Sequence, residues 1–184
     1  IVIVMTTAGR SEVVPLGGKR PALGTNPITI IIPLGDGTAI IIDCATSAMS
    51  FGKLTAMKRT KTQLAPGMAV DADGNETTDP EAAVSPLTAG RLGFGLSLVV
   101  EMIAALIGGS TPTLRGKFGQ GKKGEKHNCA FFFIGISPRA LSGGMFACGR
   151  SQRQNLRHVL TSIRRDGGGK IRFPGERRFE WLKL

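Results

Sequence analysis

The chain opens on "IVIVM", an apolar run whose β-branched members suit a strand. It reads as a buried strand entered midway, so the chain is expected to be cut from something longer. "TTAGRSEVVPLGGKRPALGTNP" then has loop chemistry, punctuated by Gly-Gly and by prolines. "ITIII" and "TAIIID" flank "PLGDG", which predicts a β-hairpin turning at Gly35-Asp36-Gly37. The two runs scarcely alternate, so both faces of the hairpin are expected to be buried.

At "IIDCATSAMSFGKLTAMKRTK" the pattern changes from strand to helix. Asp43 closes the strand, and Thr46 or Ser47 is placed to cap a helix carrying Ala48, Met49, Leu54, Ala56 and Met57. Lys58, Arg59 and Lys61 suit its C-terminal end. "DADGNETTDPEAA" predicts an acidic turn and a short helical start at Pro80, without the ligand spacing of a calcium loop.

In "GRLGFGLSLVVEMIAALIGG" the residues from Leu96 to Ile107 are mostly apolar, with Glu101 in the middle. A membrane span needs roughly 20 apolar residues, so the stretch is expected to be a core helix stopped by Gly108-Gly109. "LRGKFGQGKKGEKHN" reads as a basic loop, "CAFFFIGI" as a central strand, and "SPRALSGG" as a capped turn. From Arg150 to Arg165, Leu156, Val159, Leu160 and Ile163 mark a basic amphipathic helix. The tail "DGGGKIRFPGERRFEWLKL" predicts a glycine linker, a short strand and a Pro-Gly turn. Strands alternating with helices argue an α/β or α+β layer structure. The division expected is a core over residues 1–148, with a helix and returning tail over 149–184.

Charge changes the picture in one place. The net charge is +11, and residues 115–184 alone hold 16 Lys/Arg against 4 Asp/Glu. That asymmetry brings in polyanion binding as an alternative function. Against it, Phe131 to Phe133 lie in an apolar run and read as core rather than as a stacking platform. Cys44, Cys129 and Cys148 show no C-x-x-C pairing and read as small buried hydrophobes with reduced thiols, which points to the cytoplasm. With only His127 and His158, zinc-ligand spacing is absent, and no metal is expected.

Candidate chemistry is sparse. Gly90, Gly93 and Gly95 give G-x-x-G-x-G, the wrong order for a dinucleotide fingerprint, and no Walker Gly-Lys-Ser/Thr is present. Even so, they place backbone N–H groups at a helix start, a setting that favours anions. Asp43 to Ser47 forms a second such corner. His158 and His127 read as solvated or packed, and no nucleophile–base pair stands out.

Several segments in order resemble the malate/L-lactate/ureidoglycolate dehydrogenase-like family, the L-sulfolactate dehydrogenase-like NAD(P)-dependent oxidoreductases. "GGKRPALGTNPI" is similar to the family's G-G-x-x-x-x-x-G-T-N-P stretch, and "IIDCATSAMSFGKL" to its D-M-A-T-S junction. "DADGNETTDPEAA", "GFGLSLVVEMIAALIGG" and "IRFPGERR" resemble further family segments. The resemblance implies a mixed-sheet, non-Rossmann nucleotide-binding fold, incomplete here at its N-terminus. It implies NAD or NADP as cofactor, held by Asp43, Ala45, Thr46 and Ser47 at a helix N-terminus, by Arg91 and Gly93, and by Pro174, Gly175 and Glu176. It further implies a small 2-oxo or 2-hydroxy acid substrate, hydride transfer and a homodimer. No membrane partner is expected on the length and charge of the apolar stretch, and nucleic acid is the less favoured partner. Arg91-Leu92-Gly93 stands where the family has His-Lys-Gly, so its lysine is missing. The catalytic histidine belongs to a family half that this chain lacks, so the chain by itself is expected to be inactive. A non-catalytic relative is the remaining alternative.

Overall fold

The computed structural model describes residues 1–109, 113, 129–142 and 149–181. The basic loop at 114–128, with His127, and Cys148 lie outside the described residues.

Among the described residues the strands are β1 (Val2–Thr6), β2 (Ile28–Pro33), β3 (Ala39–Cys44), β4 (Ala69–Val70), β5 (Glu76–Thr77), β6 (Ser85–Pro86) and β7 (Phe131–Gly135). The helices are α1 (Phe51–Thr60), α2 (Gly90–Gly108), α3 (Pro138–Ser142), α4 (Gln152–Asp166) and α5 (Glu176–Trp181). The larger sheet has the order β3-β2-β1-β7, and the smaller one β5-β4-β6. This is the mixed α/β architecture that the alternating pattern predicts.

The hairpin forms as expected, with Leu34 N–H donating to Thr38 C=O (2.9 Å) across its turn. Its burial does not follow the expectation. Within β2 and β3 only Ile28 is fully buried, and Ile42 is 39% exposed. β1 is likewise mostly half-buried, with Met5 its one fully buried residue. Apolar composition sets what a strand can bury; the layers packed on it set what it does bury.

β7 also departs from expectation, standing at the edge of the sheet rather than at its centre. Its side chains alternate, leaving Phe131 (58%) and Phe133 (65%) exposed. Cys44 and Cys129 carry exposed free thiols instead of filling core positions: Cys44 ends β3 on its exposed stretch, and Cys129 lies in the segment before β7. After α4 no strand forms at 171–173, and an unforeseen helix, α5, follows the Pro-Gly turn.

Two compact units make up the chain. One comprises Ile1–Ile3, Thr29–Asp43 and Phe133–Leu184; the other comprises Val4–Ile28 and Cys44–Phe132. In the second, Met49, Leu54, Leu64, Ala69 and Ala83 form one core cluster, and Val14, Val70 and Leu87 another. The acidic stretch is a plain turn there. Asp71 accepts from Asp73 N (3.0 Å) and Asn75 N (2.9 Å), closing β4 onto β5 with Ala69 opposite Thr77. Pro80 begins a single capped turn that does not continue into a helix: Glu81 N bonds the Asp79 carboxylate and Ala83 N the Asp79 carbonyl, and the chain then passes into β6.

α2 is longer than its apolar stretch, because the helix starts at Gly90 and takes in the glycines. At 19 residues it is long and apolar enough to cross a membrane, so length does not exclude that reading. One face is packed, where Gly93, Ser97, Val100, Glu101 and Ala104 are buried with a carboxylate at the middle. Leu98, Val99, Met102, Leu106 and Ile107 are exposed, so the buried core helix that the apolar stretch predicts is only half covered. Gly109, at φ +69°, ends it in the left-handed conformation that glycine adopts freely. In the other unit, α4 begins with a capping box in which Ser151 accepts from Gln154 N and Gln154 returns to Ser151 N. Its apolar stripe is only partly covered, with Val159 51% and Ile163 44% exposed.

Candidate cofactor site

The corner after β3 was expected to lead straight into a helix capped by Thr46 or Ser47. Instead α1 starts at Phe51, and Ser50 is the cap, accepting from Lys53 N at 3.2 Å. A cap residue must offer an oxygen to the first-turn N–H groups, and both expected hydroxyls are directed instead at backbone carbonyls. Thr46 Oγ1 donates to Thr25 C=O (3.0 Å) and Asn26 C=O (3.1 Å), and Ser47 Oγ to Met49 C=O (2.8 Å). The corner is therefore a buried backbone junction, not a helix N-terminus.

What it joins is α2. Thr46 C=O accepts from Ala89 N (2.9 Å), Ala48 N donates to Leu87 C=O (2.8 Å), and Ser47 pairs antiparallel with Thr88. Gly93 lies directly beneath, where a Cβ would come within 2.5 Å of the Thr46 carbonyl oxygen. Only a residue without a side chain lets the helix approach this closely. The segments around Thr46 and Gly93, 47 positions apart in sequence, thus meet in one unit.

The helix start has features suited to an anion. Helix geometry leaves the first-turn N–H groups, Arg91 and Leu92 among them, without acceptors in their own helix. Gly90 is at φ +59°, and a Cβ on Gly90 or Gly95 would meet nothing within 4 Å. Arg91 is exposed, and Leu92 is 75% exposed. Thr88 is 2% exposed, yet its Oγ1 has no hydrogen-bond partner among the described residues. A buried hydroxyl with no protein partner is a position for a bound group. Thr88 was not singled out from sequence, since a lone threonine before a glycine-rich stretch carries no pattern.

The remaining candidates lie in the other unit. Asp43 accepts from Thr29 Oγ1 (2.8 Å) and pairs with Arg178 (3.3 Å). The Pro174–Glu176 turn docks on β3, with Ile41 N donating to Pro174 C=O at 3.0 Å. Gly175, at φ +95°, sits where a Cβ would come within 3.0 Å of Ile41. Glu176 begins α5, accepts from Phe173 N (3.1 Å) and pairs with Arg164, whose guanidinium stacks 5.0 Å from the Phe173 ring. A cleft of about 410 Å³ opens beside it, lined by Asp36, Arg157, Arg164 and Glu176 together with Leu34, Leu160 and Phe173. Asp43, Pro174, Gly175 and Glu176 thus share one unit, while Ala45, Thr46, Ser47, Arg91 and Gly93 share the other. His158 is exposed on α4. Among the described residues no cluster of His, Cys, Asp and Glu could hold a metal.

With this geometry in place, the family can be read. A model of the malate/L-lactate dehydrogenase family matches residues 1–183. The chain belongs to that family. A malate/(S)-sulfolactate dehydrogenase from Methanothermus fervidus is 38% identical to it, over 95% of this chain and 50% of that protein. A Delta(1)-pyrroline-2-carboxylate/Delta(1)-piperideine-2-carboxylate reductase from Pseudomonas putida is 36% identical, over 91% of this chain and 48% of its own length. The solved sulfolactate dehydrogenase from Methanocaldococcus jannaschii superposes with a TM-score of 0.76 at 31% identity, over 95% of this chain and 50% of that one. The chain therefore spans about half the length of the relatives it matches.

Proposed function

We propose that this chain is the cofactor-holding part of an NAD(P)-dependent oxidoreductase acting on small 2-oxo, 2-hydroxy or cyclic 2-imino acids. The observation that supports the reading is the junction of Thr46, Ala89 and Gly93, where the two segments to which the family resemblance assigns the cofactor interlock in one unit. The orphaned Thr88 hydroxyl and the uncrowded glycines at the start of α2 fit a phosphate-bearing group there. Ala45 and Ser47 would contribute backbone groups, and Thr46, bonded through its N–H to Thr25 and through its C=O to Ala89, would fix the corner. Arg91 would bring a positive charge in place of the family's lysine. As a planar fork, Arg91 would recognise a phosphate by two parallel hydrogen bonds rather than as a point charge. The nicotinamide, when bound, supplies or accepts the hydride.

What these residues do is bind and orient. The corner, held by the bonds of Thr46 to Thr25, Asn26 and Ala89, fixes a backbone surface in place before anything binds. Proton transfer to or from the substrate falls to residues outside this set, as the family resemblance implies. The proposal extends to a homodimer in the cytoplasm; the free thiols of Cys44 and Cys129 suit a reducing compartment.

Titrating NADH or NADPH into the chain should enhance reduced-nicotinamide fluorescence and saturate, while turnover of pyruvate or oxaloacetate stays at background. Absence of saturable binding by either nucleotide would favour the non-catalytic relative. A polyanion-binding reading draws some support from the exposed rings of Phe131 and Phe133. It requires salt-sensitive retention on a nucleic-acid column, and failure to be retained at low salt would eliminate it.

A further inference from the structure

Behind the cofactor corner lies a chain of buried polar groups that neither motif nor resemblance assigns a role. Asn26 is fully buried and holds φ +35°, a left-handed conformation that asparagine tolerates better than most residues. Its side-chain amide donates to Ser97 C=O (3.2 Å), Ser97 Oγ (3.2 Å) and Glu101 Oε2 (3.0 Å), and its oxygen accepts from Ala8 N (3.3 Å). Glu101, 9% exposed, also accepts from Thr113 Oγ1 (2.8 Å) and from Thr113 N. Among the described residues this carboxylate is satisfied by hydrogen bonds and has no ion-pair partner.

The chain closes into a ring. The Asn26 carbonyl receives the Thr46 hydroxyl, the Thr46 carbonyl receives Ala89 N–H, and α2 runs from there through Gly93 and Ser97 back to Glu101. Every member lies in the same unit. The left-handed turn at Asn26 determines where its carbonyl sits, and its side-chain bonds to α2 hold that turn. The distance between the Thr46 corner and the start of α2 is thereby set from two sides.

We infer that Asn26 and Glu101 are positioning residues for the cofactor corner, locking the Thr25–Asn26 turn to α2 so that Thr46 and the 88–93 backbone stay in register. The inference rests on the cofactor reading given above and goes beyond it in naming what holds the geometry. Neither residue needs to touch the cofactor. A network of this kind is worth most when every member is satisfied, and breaking one bond loosens the whole ring.

The test is a pair of complementary substitutions in the full chain. Asn26→Asp keeps the size and the tolerance of left-handed φ but puts an acceptor against the Glu101 acceptor. Glu101→Gln in the same chain restores a donor to that contact. At a temperature where all variants give the same folded circular-dichroism spectrum, Asn26→Asp should weaken NADH or NADPH binding on the order of tenfold. The double variant, which restores the contact at position 101 but not those to Ser97, should recover a measurable part of it. Amide exchange at Thr46 and Ala89 should rise in the single variant and fall again in the double. A role confined to stability leaves the Kd of the folded protein unchanged. An unaltered Kd with unaltered exchange at those amides therefore overturns the inference while the cofactor reading stands. If the unsubstituted chain binds neither nucleotide, both are overturned together. Should Asn26→Asp fail to fold, Glu101→Gln alone, isosteric and opposing N–H to N–H, serves as the single variant with the same expected result.

Discussion

The two compact units are held by different physics. All 15 of the fully buried hydrophobic residues among those described, from Met5 to Ala130, lie in the unit built from 4–28 and 44–132. The other unit contains none of them and relies on a half-covered sheet and helix with exposed ion pairs. Arg157–Asp36 (3.1 Å) and Arg164–Glu176 are 32–48% exposed at their side chains. Pairs that wet contribute little, since water screens the charges and ordering two long side chains costs entropy. The comparison teaches that the Thr46–Gly93 junction stands on a core of its own, whereas the Pro174–Glu176 turn stands on polar contacts.

The difference is broken most sharply from the core side. Leu54→Ala, at a side chain 3% exposed, should cost about 2–4 kcal/mol in urea unfolding. Leu156→Ala on the half-buried face of α4 should cost about 1 kcal/mol or less. Comparable losses at both sites would contradict the contrast. Next in size, Gly93→Ala should destabilise by about 1–3 kcal/mol, since its methyl would press on the Thr46 carbonyl. Gly95→Ala, with open space around it in the same helix, should instead add up to about 1 kcal/mol. Thermal melts of the two variants should therefore move in opposite directions.

Smaller again, Arg164→Ala should cost about 1 kcal/mol or less, combining a lost exposed pair with a lost contact to the Phe173 ring. The smallest effect concerns Asp36. Hydrogen bonds from the Thr38 hydroxyl and then its N–H, helped by Arg157, hold the carboxyl below its ordinary 3.8. Its contribution to stability is therefore present above that value and is lost as pH falls through the lower folded value. Thr38→Ala should move the Asp36 midpoint upward in an NMR titration; an unmoved midpoint would assign the shift to other neighbours.

Much of this contrast was only half legible in the sequence. The hairpin, the stop at Gly108-Gly109, the turn at Asp71–Asn75 and α4 follow from local rules, and each stands where those rules put it. Thr46 and Ser47 match the spelling of a cap but do not cap, because the partners of their hydroxyls at Thr25, Asn26 and Met49 are set by the tertiary fold. Phe131, Phe133 and Cys44 were misjudged as buried because an edge strand and a central strand share one apolar spelling. Glu101 carried a signal that the length argument absorbed: a single carboxylate inside an apolar run has to be satisfied somewhere. The asparagine of Thr-Asn-Pro was that partner, 75 positions away.

The central claim is that the Thr46–Gly93 junction belongs to a nucleotide site. Amide hydrogen exchange of the whole chain, with and without saturating NADH or NADPH, tests it directly. Protection gained over 45–47 and 88–95, and absent from the β4–β5 turn, is the expected result. Exchange at those segments unchanged by either nucleotide would contradict it.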